Sequence, residues 1–237
     1  MMKEKIYKPT IAGNDSMHPG DHKRSPDESY SEKLKETLVF IDEAFLSKLS
    51  KHLGQGDYIK FDKINFAEEI AKNEELHCKK IFYYLAPPFQ SESPTTEETK
   101  KKEGHDKFVK KLREKDVIVR EGRCQRLKID GKFHYSQKGV DILMAMDMMS
   151  TPQNYPNITK IIIIASDSDF VPVIKYLEEQ RIKTIFYTYY EKIRDSEFSR
   201  NNHLIKSASK YVIITKKSLE ESLLKKEGGM KWIIRKQ

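Results

Sequence analysis

Cysteine is nearly missing from this sequence: Cys78 and Cys124 are the only two in 237 residues. They match no zinc-ligand spacing, and a chain of this length buries a core without disulfide help, so a disulfide scaffold and a zinc module are excluded. A reducing, cytoplasmic compartment is the expectation that follows. The sequence also has no apolar run of about 18 residues and nothing resembling a signal peptide, so neither a spanning helix nor a membrane partner is expected. No glycine-rich phosphate loop follows the first apolar run, which argues against a phosphatase or nucleotide-binding domain built on its acidic end.

Positive charge is what the sequence has in excess, with a formal net charge of +8. The basic residues gather at Lys100 to Lys102, at Lys110 to Lys115, between Arg120 and Lys132, and at Lys216 and Lys217. Such a balance suits a polyanionic partner. Solvated lysine-rich helix faces account equally well for the second cluster.

The most informative stretch is Ile161, Ile162, Ile163, Ile164, Ala165, Ser166, Asp167, Ser168, Asp169, Phe170. A β-branched run without polar alternation is expected to be an inner strand of a parallel sheet, covered on both faces. In α/β folds ligands bind beyond the carboxyl ends of such strands, where Asp167 and Asp169 fall. The same grammar occurs at Thr37, Leu38, Val39, Phe40, Ile41, Asp42, Glu43. Helix capping by Asp or Ser is the plain alternative for either motif taken singly. A third acid, Asp141, is placed in the first turn of a helix expected over residues 137–150. Asp147 lies six positions on, roughly 120° around an ideal helix, and is at most a supporting or surface acid.

Four converging carboxylates, Asp42, Asp141, Asp167 and Asp169, would repel one another unless a cation lay among them. With no His or Cys in these motifs, the hard ions Mg²⁺ or Mn²⁺ suit the donors better than zinc. Cations outside to hold a phosphate backbone, and carboxylates inside to hold such an ion, are the needs of metal-dependent phosphodiester hydrolysis by water.

Along the chain, residues 1–35 read as a flexible arm of Pro, Gly, Ser, His and mixed charge, with His18 and His22 as solvated side chains. Helices are expected at 44–53, 61–72, 105–115, 172–180, 204–209 and 216–226; the helix over 137–150 has Ile142, Ala145 and Met149 as its apolar stripe. Strands are expected at 38–42, 80–86, 117–119, 158–165, 182–187 and 211–215. Residues 89–103 read as a long polar loop, and 120–135 as a basic hairpin turning at Asp130 and Gly131. The alternation predicts a three-layer α/β/α sandwich around a mainly parallel sheet over residues 36–215, followed by a C-terminal helix and tail over 216–237. Within that tail, Lys231, Trp232, Ile233, Ile234 and Arg235 are expected to fold back on the sheet.

Three blocks together resemble the signature of the NYN domain family of the PIN-like nucleases: Val39-Phe40-Ile41-Asp42, Gln137-Lys138-Gly139-Val140-Asp141, and Ala165-Ser166-Asp167-Ser168-Asp169-Phe170-Val171-Pro172. The resemblance spans about residues 38–215 and leaves both ends of the chain aside. It implies a PIN-like fold and a ribonuclease dependent on Mg²⁺ or Mn²⁺, with Asp42, Asp141, Asp167 and Asp169 on the family's metal-binding acids and Lys138 beside them. The sequence departs from the family after Asp42. Glu43 replaces a small residue, and an apolar side chain replaces an asparagine, which bears on substrate positioning more than on the carboxylates. Ser166 stands where glycine is common.

Single-stranded RNA is the expected substrate. Lys138, Ser166, Ser168 and the basic residues Arg120, Arg123, Arg126 and Lys128 are the expected nucleic-acid contacts, with Phe133 and Tyr135 as stacking surfaces and Tyr187, Tyr189 and Tyr190 as wall or core residues. The alternative is a catalytically weak or inactive nucleic-acid-binding or scaffold module that keeps the nuclease-like fold. A homo-oligomer or a restraining protein partner is also compatible with a small nuclease.

Overall fold

The computed structural model describes residues 34–192, 198 and 202–223. Nearly all of the expected N-terminal arm, with His18 and His22, and the segment Lys231 to Arg235 lie outside these residues.

The central sheet grows from the two apolar runs singled out above. Strand β1 (Lys35–Asp42) is continuously buried from Thr37 onward, as a strand covered on both faces must be. Helix α1 (Glu43–Leu53) follows directly and buries Phe45, Leu46 and Leu49, then stops where the Gly54 N–H closes onto its last carbonyls. Helix α2 (Lys63–Asn73), capped by Asp62, leads into β2 (Leu76–Leu85). Helix α3 (Thr96–Glu114) and β3 (Ile118–Glu121) complete the first half.

A hairpin of β4 (Arg123–Ile129) and β5 (Lys132–Lys138) then forms its own two-stranded sheet. It is followed by α4 (Val140–Met149), the short α5 (Thr151–Asn154) and β6 (Lys160–Ile164). A 3₁₀ turn (Ser168–Phe170) enters α6 (Val171–Glu179), with Pro172 in its first turn, where a missing N–H costs nothing. Strand β7 (Lys183–Thr188), α7 (Asn202–Ser207), β8 (Lys210–Ile213) and α8 (Lys216–Glu220) close the domain.

All neighbouring strands of the six-stranded sheet run parallel, in the order β3-β2-β1-β6-β7-β8. Alternate side chains feed two separate cores. Val39, Ile41, Ile162 and Ile164 pack against α1, α2, α3 and α8, while Leu38, Phe40, Ile161 and Ile163 pack against α4, α6 and α7. The result is the expected three-layer α/β/α sandwich around a parallel sheet. The chain works outward from β1 to β3 and then returns to pair β6 on the other side of β1. That reversal makes the carboxyl end of the β1 and β6 pair the topological switch point, where α/β sheets open a crevice. No helix among the described residues is long and apolar enough to cross a membrane.

Three expectations are corrected here. The expected loop over 89–103 is helical from Thr96. Thr95 and Glu98 form a reciprocal capping box, and Glu97 with Lys101 adds an ion pair one turn apart, so a polar sequence becomes a 19-residue solvent-facing helix burying little beyond Val109 and Leu112. The helix expected from residue 137 begins at Val140, because β5 continues through Lys138 to complete its pairing with β4. Its buried face is Val140, Met144 and Met148, whereas Ile142 and Met149 of the expected stripe are exposed. The remaining boundaries move less, although β2 starts four residues earlier than expected and α8 ends at Glu220.

Candidate active site at the sheet switch point

Each acid reaches the switch point by a local rule. Asp42 ends β1 and caps α1, its Oδ1 accepting the Ala44 N–H at 2.9 Å. Asp167 follows β6 and caps the 3₁₀ turn, its Oδ1 accepting the Asp169 N–H at 2.9 Å. Capping and facing the crevice are therefore not rivals: the cap occupies Oδ1 of each carboxylate, and both side chains line the same cavity. Asp141 arrives by another route, in the first turn of α4 just after Gly139, whose φ of +79° is the left-handed turn that ends the hairpin. Gly122 serves that same corner, since a Cβ there would lie 2.6 Å from both the Lys138 carbonyl oxygen and the Val140 side chain.

The cavity has a volume of about 700 Å³. Asp42, Asp141, Asp167, Ser166, Ser168 and Gln137 are among the residues that line it. Asp42 is almost fully enclosed, and burial pushes its carboxyl up to about 6 from 3.8, with repulsion from Asp141 adding to the rise; the Phe45 and Ala44 N–H groups and the Gln137 side chain restrain it. Asp141 is also raised, by burial first and then by the charges of Asp167 and Asp169. Asp169 itself is exposed and outside the cavity wall, so it is coupled to the group electrostatically without lining it.

The donor set is all oxygen, and neighbouring carboxylates add to the raising of Asp42 and Asp141, the chemistry of a site that welcomes a hard divalent cation. Among the described residues, however, no three His, Cys, Asp or Glu side chains close into a group ready to hold an ion. Asp42, Asp141 and Asp167 share a cavity without being drawn together as ligands.

Glu43, which replaces the family's small residue, does not line the cavity. It faces Lys63 of α2, burial pushes its carboxyl up to about 7, and its Oε2 is buried without a hydrogen-bond partner. The N-cap of α1 is Asp42. The apolar residues that follow, Ala44 and Phe45, do line the cavity.

The expected basic contacts divide. In the hairpin, Cys124 pairs with Gln137, Arg126 with Tyr135, and Lys128 with Phe133, so these six side chains share the face that leads to Gln137 and the cavity. Arg123 and Lys138, paired with each other, lie on the opposite face. Arg126 is held between aromatic rings, its guanidinium 4.2 Å from the Phe89 centroid and 4.5 Å from that of Phe133. Arg120 belongs to β3 and not to the hairpin. It makes a two-bonded ion pair with Asp147, at 2.9 and 3.0 Å, and the buried Tyr84 hydroxyl donates to the same carboxylate at 3.0 Å. Asp147 therefore fastens α4 to β2 and β3 and does not line the cavity.

The cavity is also lined by residues that the sequence did not single out: Lys48, Phe198, Asn202 and His203. Lys48 had a signal, since it sits one helical turn beyond Ala44 on α1 and so shares its face. Phe198, Asn202 and His203 follow β7 through a connection with no periodic pattern. Tyr189 and Tyr190 line the wall, while Tyr187 is a core residue.

The family model of the NYN domain matches residues 36–219. Among solved structures, a protein of unknown function from Vibrio parahaemolyticus RIMD 2210633 is similar, with a TM-score of 0.51 and 18% identity; the match covers 78% of this chain and 96% of that one. At that identity the likeness speaks for the fold alone. A search of curated proteins gives no significant match.

Proposed function

The chain belongs to the NYN domain family, and from that premise we propose that it is a divalent-metal-dependent ribonuclease acting on single-stranded RNA in the cytoplasm. The observation that carries this reading is the meeting of Asp42, Asp141 and Asp167 in one cavity at the sheet's switch point, beside a hairpin face of alternating cations and aromatic rings. Asp42, Asp141 and Asp167, with Asp169 from outside, are the side chains that would hold Mg²⁺ or Mn²⁺. A cation held there would neutralise charge on the phosphate and lower the pKa of a bound water for attack at phosphorus.

The chain's own residues do the remainder. Gln137 and the first-turn N–H groups of α1 fix the orientation of Asp42. Ser166 and Ser168 offer hydroxyls at the cavity wall for phosphate oxygens. Arg126 and Lys128 hold the backbone along the hairpin while Phe133 and Tyr135, both more than half exposed, stack on unpaired bases. Arg123 and Lys138 extend the positive field on the far face of the hairpin. Arg120 contributes through its ion pair with Asp147, by holding α4 in place.

A second reading is a binding module of low turnover, favoured by the spread of the acids, no three of which close into a ligand group among the described residues. End-labelled single-stranded RNA incubated with Mg²⁺, Mn²⁺ or EDTA separates the two. The hydrolytic reading expects cleavage that needs an ion and is lost in Asp167→Asn with the fold retained by circular dichroism. RNA binding without cleavage in either ion refutes it in favour of the binding module.

A further inference from the structure

The cavity is larger than a phosphate and its ion require, and its lining is of two kinds. Besides the carboxylates it carries Phe45, Tyr189, Tyr190 and Phe198, with Asn202 and His203. We propose that this aromatic part of the lining is a nucleobase subsite, which takes one unpaired base of the nucleic acid next to the phosphate held at the acids.

The proposal rests on the nucleic-acid reading above and deepens it by giving the strand a place to end its path. A volume of about 700 Å³ falls within the range of sites that enclose small organic molecules, and aromatic walls with a few polar groups are the usual make-up of such sites. The wall is held before any ligand arrives. Phe198 stands edge-on to Tyr189 with centroids 5.3 Å apart, and the His52 ring packs against both at 4.8 and 5.5 Å. His52 is fixed in turn by Glu191 at 2.8 Å. Phe45 and Phe198 are buried whereas Tyr189 and Tyr190 are half-buried, so the two tyrosines are the rings left to meet a base, and Tyr189, ordered in this way, loses little further side-chain freedom on doing so.

Asn202 and His203 carry donors and acceptors that match base edges, which rings alone do not distinguish. Lys48, 5.3 Å from the Phe198 ring centroid and lining the same cavity as the acids, is a cation suited to the phosphate that joins a bound base to them. The hairpin face reaches the cavity at Gln137, whose side chain hydrogen-bonds Asp42. A single strand lying along that face would pass the acids and place its next base against the aromatic wall. The two binding regions then have different duties: the hairpin grips any sequence, and the subsite selects among bases.

The test is equilibrium binding of fluorescein-labelled homopolymeric single-stranded RNAs (A, C, G and U) to the full chain in EDTA, followed by anisotropy, so that cleavage plays no part. The four homopolymers should differ in affinity. Tyr190→Ala should weaken the preferred one by about 5- to 100-fold, with Tyr190→Phe restoring it. Asn202→Ala and His203→Ala should flatten the ranking, whereas Phe133→Ala in the hairpin should weaken all four alike. Equal affinities for all four RNAs in the wild type, or an unchanged ranking in Asn202→Ala, His203→Ala and Tyr190→Ala, overturns the subsite. Base-selective binding by a protein that cuts nothing would leave the subsite standing and remove the hydrolytic reading; cleavage without base selection would do the reverse.

Discussion

Asp42 shows how one side chain can serve the fold and the site while costing stability. Its cap on α1 is favourable, but burial and Asp141 raise its carboxyl to about 6. A carboxyl raised on folding binds its proton more tightly in the native state, so its contribution is most favourable below about 4 and is lost as pH climbs through 6. Above that pH the ionised group is a penalty, on the order of 3 kcal/mol for a shift of this size in the metal-free protein. Asn caps helices as well as Asp does. Asp42→Asn should therefore raise stability in EDTA by roughly 1–3 kcal/mol at pH 8, with little gain at pH 4, while abolishing cleavage. Urea denaturation at the two pH values checks this; equal stabilisation at both would mean the carboxyl is not strained. Mn²⁺ should raise the melting temperature of the wild type more than that of the variant. The sequence announced this residue because an apolar strand ended on it. It could not announce Glu43, whose environment is set by Lys63 twenty positions away on another helix.

At the scale of elements, the hairpin and α4 carry the distinctions that the sequence left unresolved. Basic residues between Arg120 and Lys138 were legible as a group, but which of them face the acids depends on strand register, and register assigns Arg126 and Lys128 to one face and Arg123 and Lys138 to the other. Arg126→Ala should accordingly weaken single-stranded RNA binding by about tenfold and lose the stacking partner of Phe89 and Phe133, while Arg123→Ala should cost a few-fold at most and mainly at low salt. Binding isotherms at two salt concentrations would separate them, and equal losses would contradict the assignment of faces. Helix α4 was misjudged in its buried face because methionines and other apolar residues surround it, so several stripes fit the same ten residues. Its seat is fixed by a polar contact instead, the Asp147 carboxylate shared by Arg120 and Tyr84. Asp147→Ala would strand a buried phenol and should destabilise the protein by about 2–3 kcal/mol while RNA binding in EDTA persists. A thermal melt within a degree of wild type would show that this contact holds nothing. Helix α3 was missed from Thr96 to Gly104 because its ion pairs and capping box stabilise a helix with almost no apolar face there.

Over the whole molecule, the sheet order follows from which strands are apolar on both sides. β1 and β6, the two uninterrupted apolar runs, take the centre, and the acids that end them meet where the chain reverses direction across the sheet. That much was legible, as was the third acid. The rest of the cavity's lining was not, because it is assembled from α1, the residues after β7 and α7, which are distant in sequence and share no pattern. The proposed hydrolysis of single-stranded RNA at this switch point is tested most directly by single-turnover cleavage of one labelled RNA at saturating Mn²⁺, by wild type and by Asp141→Asn with binding measured in parallel. The rate should be at least about 100-fold lower in the variant with binding within about twofold. A variant that cuts as fast as wild type, or a wild type that binds and never cuts, would contradict it.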